Sequence, residues 1–161
     1  MTKATYHGHD QVGAQMTKDI LTRMKFPNDV VDVVSDVVKN HMKIKDMNKC
    51  KRQSSLRRFF GKKHIDLIVQ IADADNKGCE HDKPEGRFDV WELVEKVHAQ
   101  FDVILPAPII TGEDLIAAGE KPGPAFRDAL FHTHNQQLNG CDDKDKLLRS
   151  ALGFVKQYGK K

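Results

Sequence analysis

No stretch of this 161-residue sequence is apolar for long enough to cross a membrane. The first residues, MTKATYHGH, have no apolar core of the kind a secretory signal peptide needs, so nothing directs the chain to export. Cysteine is scarce. Cys50, Cys79 and Cys141 are an odd number, far apart and without a CxxC pair, which argues against a disulfide framework and for reduced thiols in a cytoplasm. Internal repeats are missing, and no segment reads as a strand. What remains is a chain of ordinary apolar content with 30% charged residues, long enough for one domain with a real core or for two small modules.

Positive charge is present but concentrated. The formal net charge is +3, yet residues 39–63 hold ten Lys and Arg against one acid, Asp46, so the remainder is net negative. Such a concentration attracts phosphate backbones, and it serves equally well as a solvated loop.

The apolar positions point to helices. Val12, Met16, Ile20, Leu21 and Met24 form a stripe over residues 9–25, which Phe26-Pro27-Asn28 breaks, with Asn28 suited to cap the next helix. In NDVVDVVSDVVKNHM the valines favour strand by propensity, but their spacing of i, i+1, i+3, i+4, i+7, i+8 is helical and takes precedence. A basic loop follows, then a short helix LRRFF capped by Ser54 or Ser55 and ended by Gly61. A further helix runs from about Lys63 to Lys77 and stops at Gly78. CEHDKPEGR reads as a linker. FDVWELVEKVHAQF gives an amphipathic helix with Val90, Trp91, Val94, Val97 and Phe101 as its stripe, and LPAPII cannot be helical with two prolines. TGEDLIAAG is a short capped helix closed by Gly119. KPGP turns the chain, and Pro124 opens a helix to about Leu138. Asp142 or Asp143 caps a last helix carrying Leu147, Leu148, Ala151 and Phe154. The expected fold class is all-α.

Several chemistry-bearing side chains fall on apolar faces. His41 continues the face of Val30, Val34 and Val37, and Asp75 that of Ile68, Ile71 and Ala72. His9 shares a face with Val12 and Met16, with Asp10 beside it. Asp73 falls instead with Asp66 and Gln70 on the polar side. Inward imidazoles and carboxylates are costly unless partnered, so four of them on three helices read either as hydrogen-bonded core or as a shared divalent site. His/Asp ligation with open positions suits metal-assisted attack of water on a phosphate ester. Other candidates fail on spacing. DADNKG has Lys77 and Pro84 where a calcium loop needs ligands, and Cys79-Glu80-His81 lacks the second half of a zinc site. His132 and His134 are two apart on a helix and cannot face one ligand, and His81-Asp82 lies in the linker. At the KPGP turn, free N–H groups with Lys121 nearby could hold a phosphate, although a plain helix connection explains the turn as well.

Four stretches occur in a familiar order: YHGHDQVGAQMTKDILTRMKFPNDV, VVKNHM, SLRRFFGKKHIDLIVQIADADNKG, and PIITGEDLIAAGEKPGPAF with QLNG. Together they resemble the carboxyl-terminal half of bacterial CCA-adding tRNA nucleotidyltransferases and related poly(A)-polymerase-like proteins, over nearly the whole chain. The resemblance implies a truncated HD-domain helical bundle followed by a small helical RNA-binding region. The partial HD domain would occupy 1–80, a linker and connecting helix 81–104, and the RNA-binding-like region 105–161. It also implies that His9-Asp10 is the HD dyad, that His41 and Asp75 complete the ligands, that Asp10 has a catalytic part, and that the cofactor is Mg2+, Mn2+ or Ni2+. Arg57, Arg58 and Phe59 match a recurring basic and aromatic stretch. Arg57 and Arg58, with Lys51, Arg52, Lys62, Lys63, and Lys121 of the KPGP turn, make the expected RNA- or phosphate-binding set.

Two parts of the family pattern are not found. One is the nucleotidyltransferase domain with its Gly-Ser and paired carboxylates, so tRNA end addition by this chain alone is not expected. The other is the upstream helix that supplies the first HD ligand, so the chain resembles a piece starting mid-domain, with His7 as a stand-in. A bundle without that helix is expected to expose an apolar face, suited to a homodimer or a partner chain. Two functions stay open. The first is a metal-dependent HD phosphohydrolase acting on nucleotide or RNA-end phosphate esters of the 2′,3′-cyclic class. The second is a non-catalytic RNA- or tRNA-binding module, possibly partnering a separately encoded nucleotidyltransferase half, with the question of enzyme activity open between them.

Overall fold

The computed structural model describes residues 8–78 and 88–159. Among them the secondary structure is helical throughout, with no strand: α1 His9–Arg23, α2 Asn28–Asn40, α3 Lys43–Lys49, α4 Gln53–Phe60, α5 Ile65–Gly78, α6 Val90–Gln100, α7 Gly112–Ala117, α8 Pro124–Leu138 and α9 Lys144–Tyr158. The all-α expectation is met. His7, Cys79, His81 and Asp82 lie outside the described residues. The chain divides into two compact units, Met1–Cys50 with Phe59–Asp102, and Lys51–Arg58 with Val103–Lys161. No described helix is long and apolar enough to cross a membrane.

In the first unit α1 packs on α2, α2 on α5, and α6 on α5 and α3. Its buried side chains include Val31, Val37, Ile44, Ile68, Val69, Ala72, Val90, Leu93 and Val97. The packing of α1 differs from the sequence expectation. Its stripe of Val12, Met16, Ile20 and Met24 faces solvent, and α1 meets α2 instead through buried Ala14 and through Gly13. A Cβ at Gly13 would stand 3.3 Å from Val38 Cγ1, so small residues let the two helices approach closely. Periodicity identifies an apolar face but not which neighbour covers it. In α5 and α6 most of the expected face is buried (Ile68, Ala72, Val90, Val97 and Phe101), but Ile71 and Trp91 are exposed and Val69 and Leu93 are buried as well. The Trp91 indole N–H donates to Asp73 Oδ2 at 3.1 Å. Residues 43–49, expected as loop, form α3 around buried Ile44. Asn28 is the first helical residue of α2, with Pro27 in the cap position.

The second unit closes α7, α8 and α9 around Ile110, Leu115, Phe126, Ala129, Leu147, Ala151 and Val155. Its helix ends follow the local chemistry. Thr111 and Asp114 form a capping box on α7, Gly119 turns the chain at φ +90°, Pro124 opens α8, and the Asp143 carboxylate caps α9. Asp114 is held at about 2 by the Lys144 ammonium first, then by the Thr111 N–H and hydroxyl. The proline segment ahead of α7 has no regular partner for its carbonyls, so side chains of α4 and α8 take them. Gln137 donates to Ala107 O and accepts from Ile109 N, His134 Nε2 donates to Pro106 O, and Arg57 donates to the carbonyls of Val103 and Ile104. The first six residues of α4 belong to this unit, where Ser54 N donates to Asn139 Oδ1.

Candidate functional site

Helices α1 and α2 run antiparallel, placing Gly13 opposite Val38 and His9 opposite His41. Asp75, in the last turn of α5, completes a group with these two histidines. One ligand atom from each of His9, His41 and Asp75 lies within 4.8 Å of the other two. The two imidazole centroids are 5.4 Å apart with planes at 57°. His41 is 6% exposed and its Nδ1 faces Val38 O at 2.5 Å. A carbonyl only accepts, so Nδ1 carries a hydrogen and Nε2 is the nitrogen left to face a metal. Asp75 Oδ2 lies 3.5 Å from Lys45 Nζ, an ion pair about a third exposed and therefore weak. Asp10 follows His9 on α1 but is not among the grouped ligands of the described residues. Asp73 is directed elsewhere, to Lys77 Nζ at 2.7 Å and to Trp91.

The donor set fits a divalent ion. Donors held about 2.1 Å from one ion can be no more than about 4.2 Å apart, close to the 4.8 Å within which these three atoms lie. Two imidazoles with one carboxylate suit Mn2+, Ni2+ or Zn2+ better than Mg2+ or Ca2+, which prefer all-oxygen shells. The helical backbone of Asp73 to Lys77 rules out a calcium loop there.

The basic residues separate into two kinds. Arg57 donates to Val103 O, Ile104 O and Leu138 O. Arg58 donates to Asn135 Oδ1 at 2.6 Å and to His134 Nδ1 at 3.2 Å, and its guanidinium sits 4.3 Å over the Phe131 ring. Both arginines therefore tie the second unit together. Lys62 reaches Asp36 at 3.8 Å in the first unit. Lys51, Arg52, Lys63 and Lys121 have exposed side chains. Lys121 lines a cavity of about 400 Å³ with Gly123, Phe126, Lys156 and Gly159, so the structure brings a second lysine, Lys156, to the KPGP turn.

His134 has both ring nitrogens committed, Nε2–H to Pro106 O and the Nδ1 lone pair to Arg58. Burial lowers its pKa, the Pro106 bond opposes that, and the Arg58 and Arg57 charges add to the lowering. Sequence reasoning does not mark Lys45, Lys156 or Gln137, and it considers His134 only as a metal ligand and sets it aside. Lys45 stands four residues after His41, a helical spacing that could have flagged it; the others carry no local signal.

Over 135 residues, 80% of its length, the chain is 30% identical to an A-adding tRNA nucleotidyltransferase of Deinococcus radiodurans. The chain is similar to tRNA nucleotidyltransferases. A CC-adding tRNA nucleotidyltransferase of Thermus thermophilus is likewise 30% identical over 140 residues, 83% of this chain. In both tRNA nucleotidyltransferases the match spans 30% of the relative's own length. No protein-family model and no solved structure matches the chain.

Proposed function

We propose that this chain is a divalent-metal-binding, RNA-directed protein of tRNA metabolism, acting in the cytoplasm, whose His9/His41/Asp75 centre hydrolyses phosphate esters of nucleotides or RNA ends, of the 2′,3′-cyclic class. The observation that carries this reading is the meeting of two imidazoles and a carboxylate from three helices within 4.8 Å. Mn2+ and Ni2+ are among the ions that suit these donors. A divalent ion held there would supply Lewis-acid polarisation of a phosphate oxygen and acidify water. His41 would offer Nε2 to the ion, since Val38 O holds the hydrogen of the other nitrogen. Asp10, next to His9 in the sequence, is the carboxylate this reading assigns as proton acceptor from the attacking water. Lys45, next to Asp75, offers positive charge to the substrate phosphate. Lys121 and Lys156, in the second unit, are assigned to RNA phosphates.

The test is Mn2+-dependent hydrolysis of 2′,3′-cyclic AMP. Expected are turnover with Mn2+, loss on adding EDTA, and a fall of roughly 100-fold or more in Asp75→Asn. If metal binds but no ester is cleaved, the second reading takes over, a non-catalytic RNA- or tRNA-binding module or a partner of a separate nucleotidyltransferase chain. A specific observation favours keeping it. The second unit has twelve Lys and Arg against seven Asp and Glu, a net +5. In that case the exposed apolar stripe of α1 is where the partner chain or a second copy would dock.

A further inference from the structure

The second unit carries a row of aromatic rings that neither the metal group nor the lysine cavity uses. The His132 ring on α8 lies 5.5 Å from the Phe154 ring on α9, with planes at 30°, and Phe154 lies 4.6 Å from Tyr158, one turn further along α9. Phe154, in the middle, is partly buried and packs against the core of the unit, which fixes its position. The two outer rings are exposed, Tyr158 to 54%. His132 is held from behind by the Gln136 amide, which donates to Nε2 at 3.2 Å. On the residue before it, exposed Phe131 already stacks a planar cation, the Arg58 guanidinium, on one face. Single exposed aromatics are ordinary, but here Phe154 touches a ring on either side, and the three make a row of π faces across two helices.

The chemistry of the unit around the row decides what could occupy it. The same unit holds the positive excess of +5, while the rest of the chain has more acids than bases. A π surface on a positively charged unit complements a polyanion whose units carry flat rings. Unpaired nucleobases stack on aromatic side chains whatever their identity, because every base has a π face, and the phosphates contribute through charge. A duplex keeps its bases stacked inside and could use only the charge.

We propose that His132, Phe154 and Tyr158 form a stacking platform for unpaired nucleobases of an RNA strand. This rests on the RNA-directed reading above and names how that RNA is held.

The experiment measures equilibrium binding of the full chain to oligoadenylate of ten nucleotides and to a blunt RNA duplex of equal length, over a range of salt. Wild type is compared with Tyr158→Phe, Tyr158→Leu and His132→Leu, and each variant's fold is checked by its melting curve. Expected is a wild-type preference for the single strand. Tyr158→Leu and His132→Leu each weaken oligoadenylate about tenfold, with duplex binding and the salt slope unchanged, while Tyr158→Phe keeps wild-type affinity. Leucine preserves apolar bulk and removes the ring, so this pattern isolates stacking. Oligoadenylate binding within twofold of wild type in both leucine variants overturns the platform and leaves RNA binding standing. Equal losses on duplex and single strand overturn it too. If the wild type binds neither RNA, the RNA-directed reading fails and the platform with it.

Discussion

His134 shows what a single residue does here beyond its charge. Its two nitrogens are used as one donor and one acceptor, toward Pro106 O and from Arg58. Adding a proton would turn the acceptor into a second donor facing a guanidinium. The folded chain therefore resists protonation below the ordinary value near 6.5, while the unfolded chain does not. Between the lowered value and 6.5 the unfolded state binds more protons, so this contribution is intact above pH 6.5 and is lost as pH falls below it. Urea unfolding at pH 7.5 and pH 5 is expected to show a loss of stability in the wild type that His134→Gln reduces. An identical pH dependence in both proteins would contradict the geometry. The residues show unevenly in the sequence. His41 and Asp75 could be read because an ionisable group on an apolar helical face is conspicuous. Arg57 and Arg58 could be read only as charge, since their acceptors lie 46 to 81 residues away in the sequence.

Among the elements, helix ends were more legible than helix faces. Pro124, Asp143, Thr111 and Gly119 act through their own backbone neighbourhood, and each marks a boundary where the sequence places one. Helix α3 has a single buried side chain, Ile44, and so no period to detect. The face of α1 was misassigned because its contact with α2 is made by Gly13 and Ala14, which carry no hydrophobic signal. That contact is testable. With a Cβ at Gly13 already 3.3 Å from Val38 Cγ1, a branched side chain has no room without moving the helix. Gly13→Val is expected to destabilise the chain by about 1–3 kcal/mol in urea unfolding, whereas Met16→Ala on the exposed face changes stability by less than about 0.5 kcal/mol. The reverse order would mean that α1 packs through its apolar stripe.

For the whole molecule, the helical class follows from periodicity alone, but the division into units does not. Residues 51–58 join the later unit through bonds such as Ser54 to Asn139, a pairing 85 residues apart that no local pattern announces. The basic segment consequently falls partly in each unit, and several of its charges are satisfied internally. The metal group has the same character. Three helices of one unit bring His9, His41 and Asp75 together, and its function depends on whether that group holds an ion. The most direct measurement is calorimetric titration of the chain with Mn2+ and with Ni2+, in the wild type and in Asp75→Asn, which preserves side-chain shape and removes the ligand charge. One-site binding by the wild type that Asp75→Asn abolishes is the expected result. No binding heat in the wild type, or binding that the substitution leaves unchanged, would contradict a metal centre at His9, His41 and Asp75.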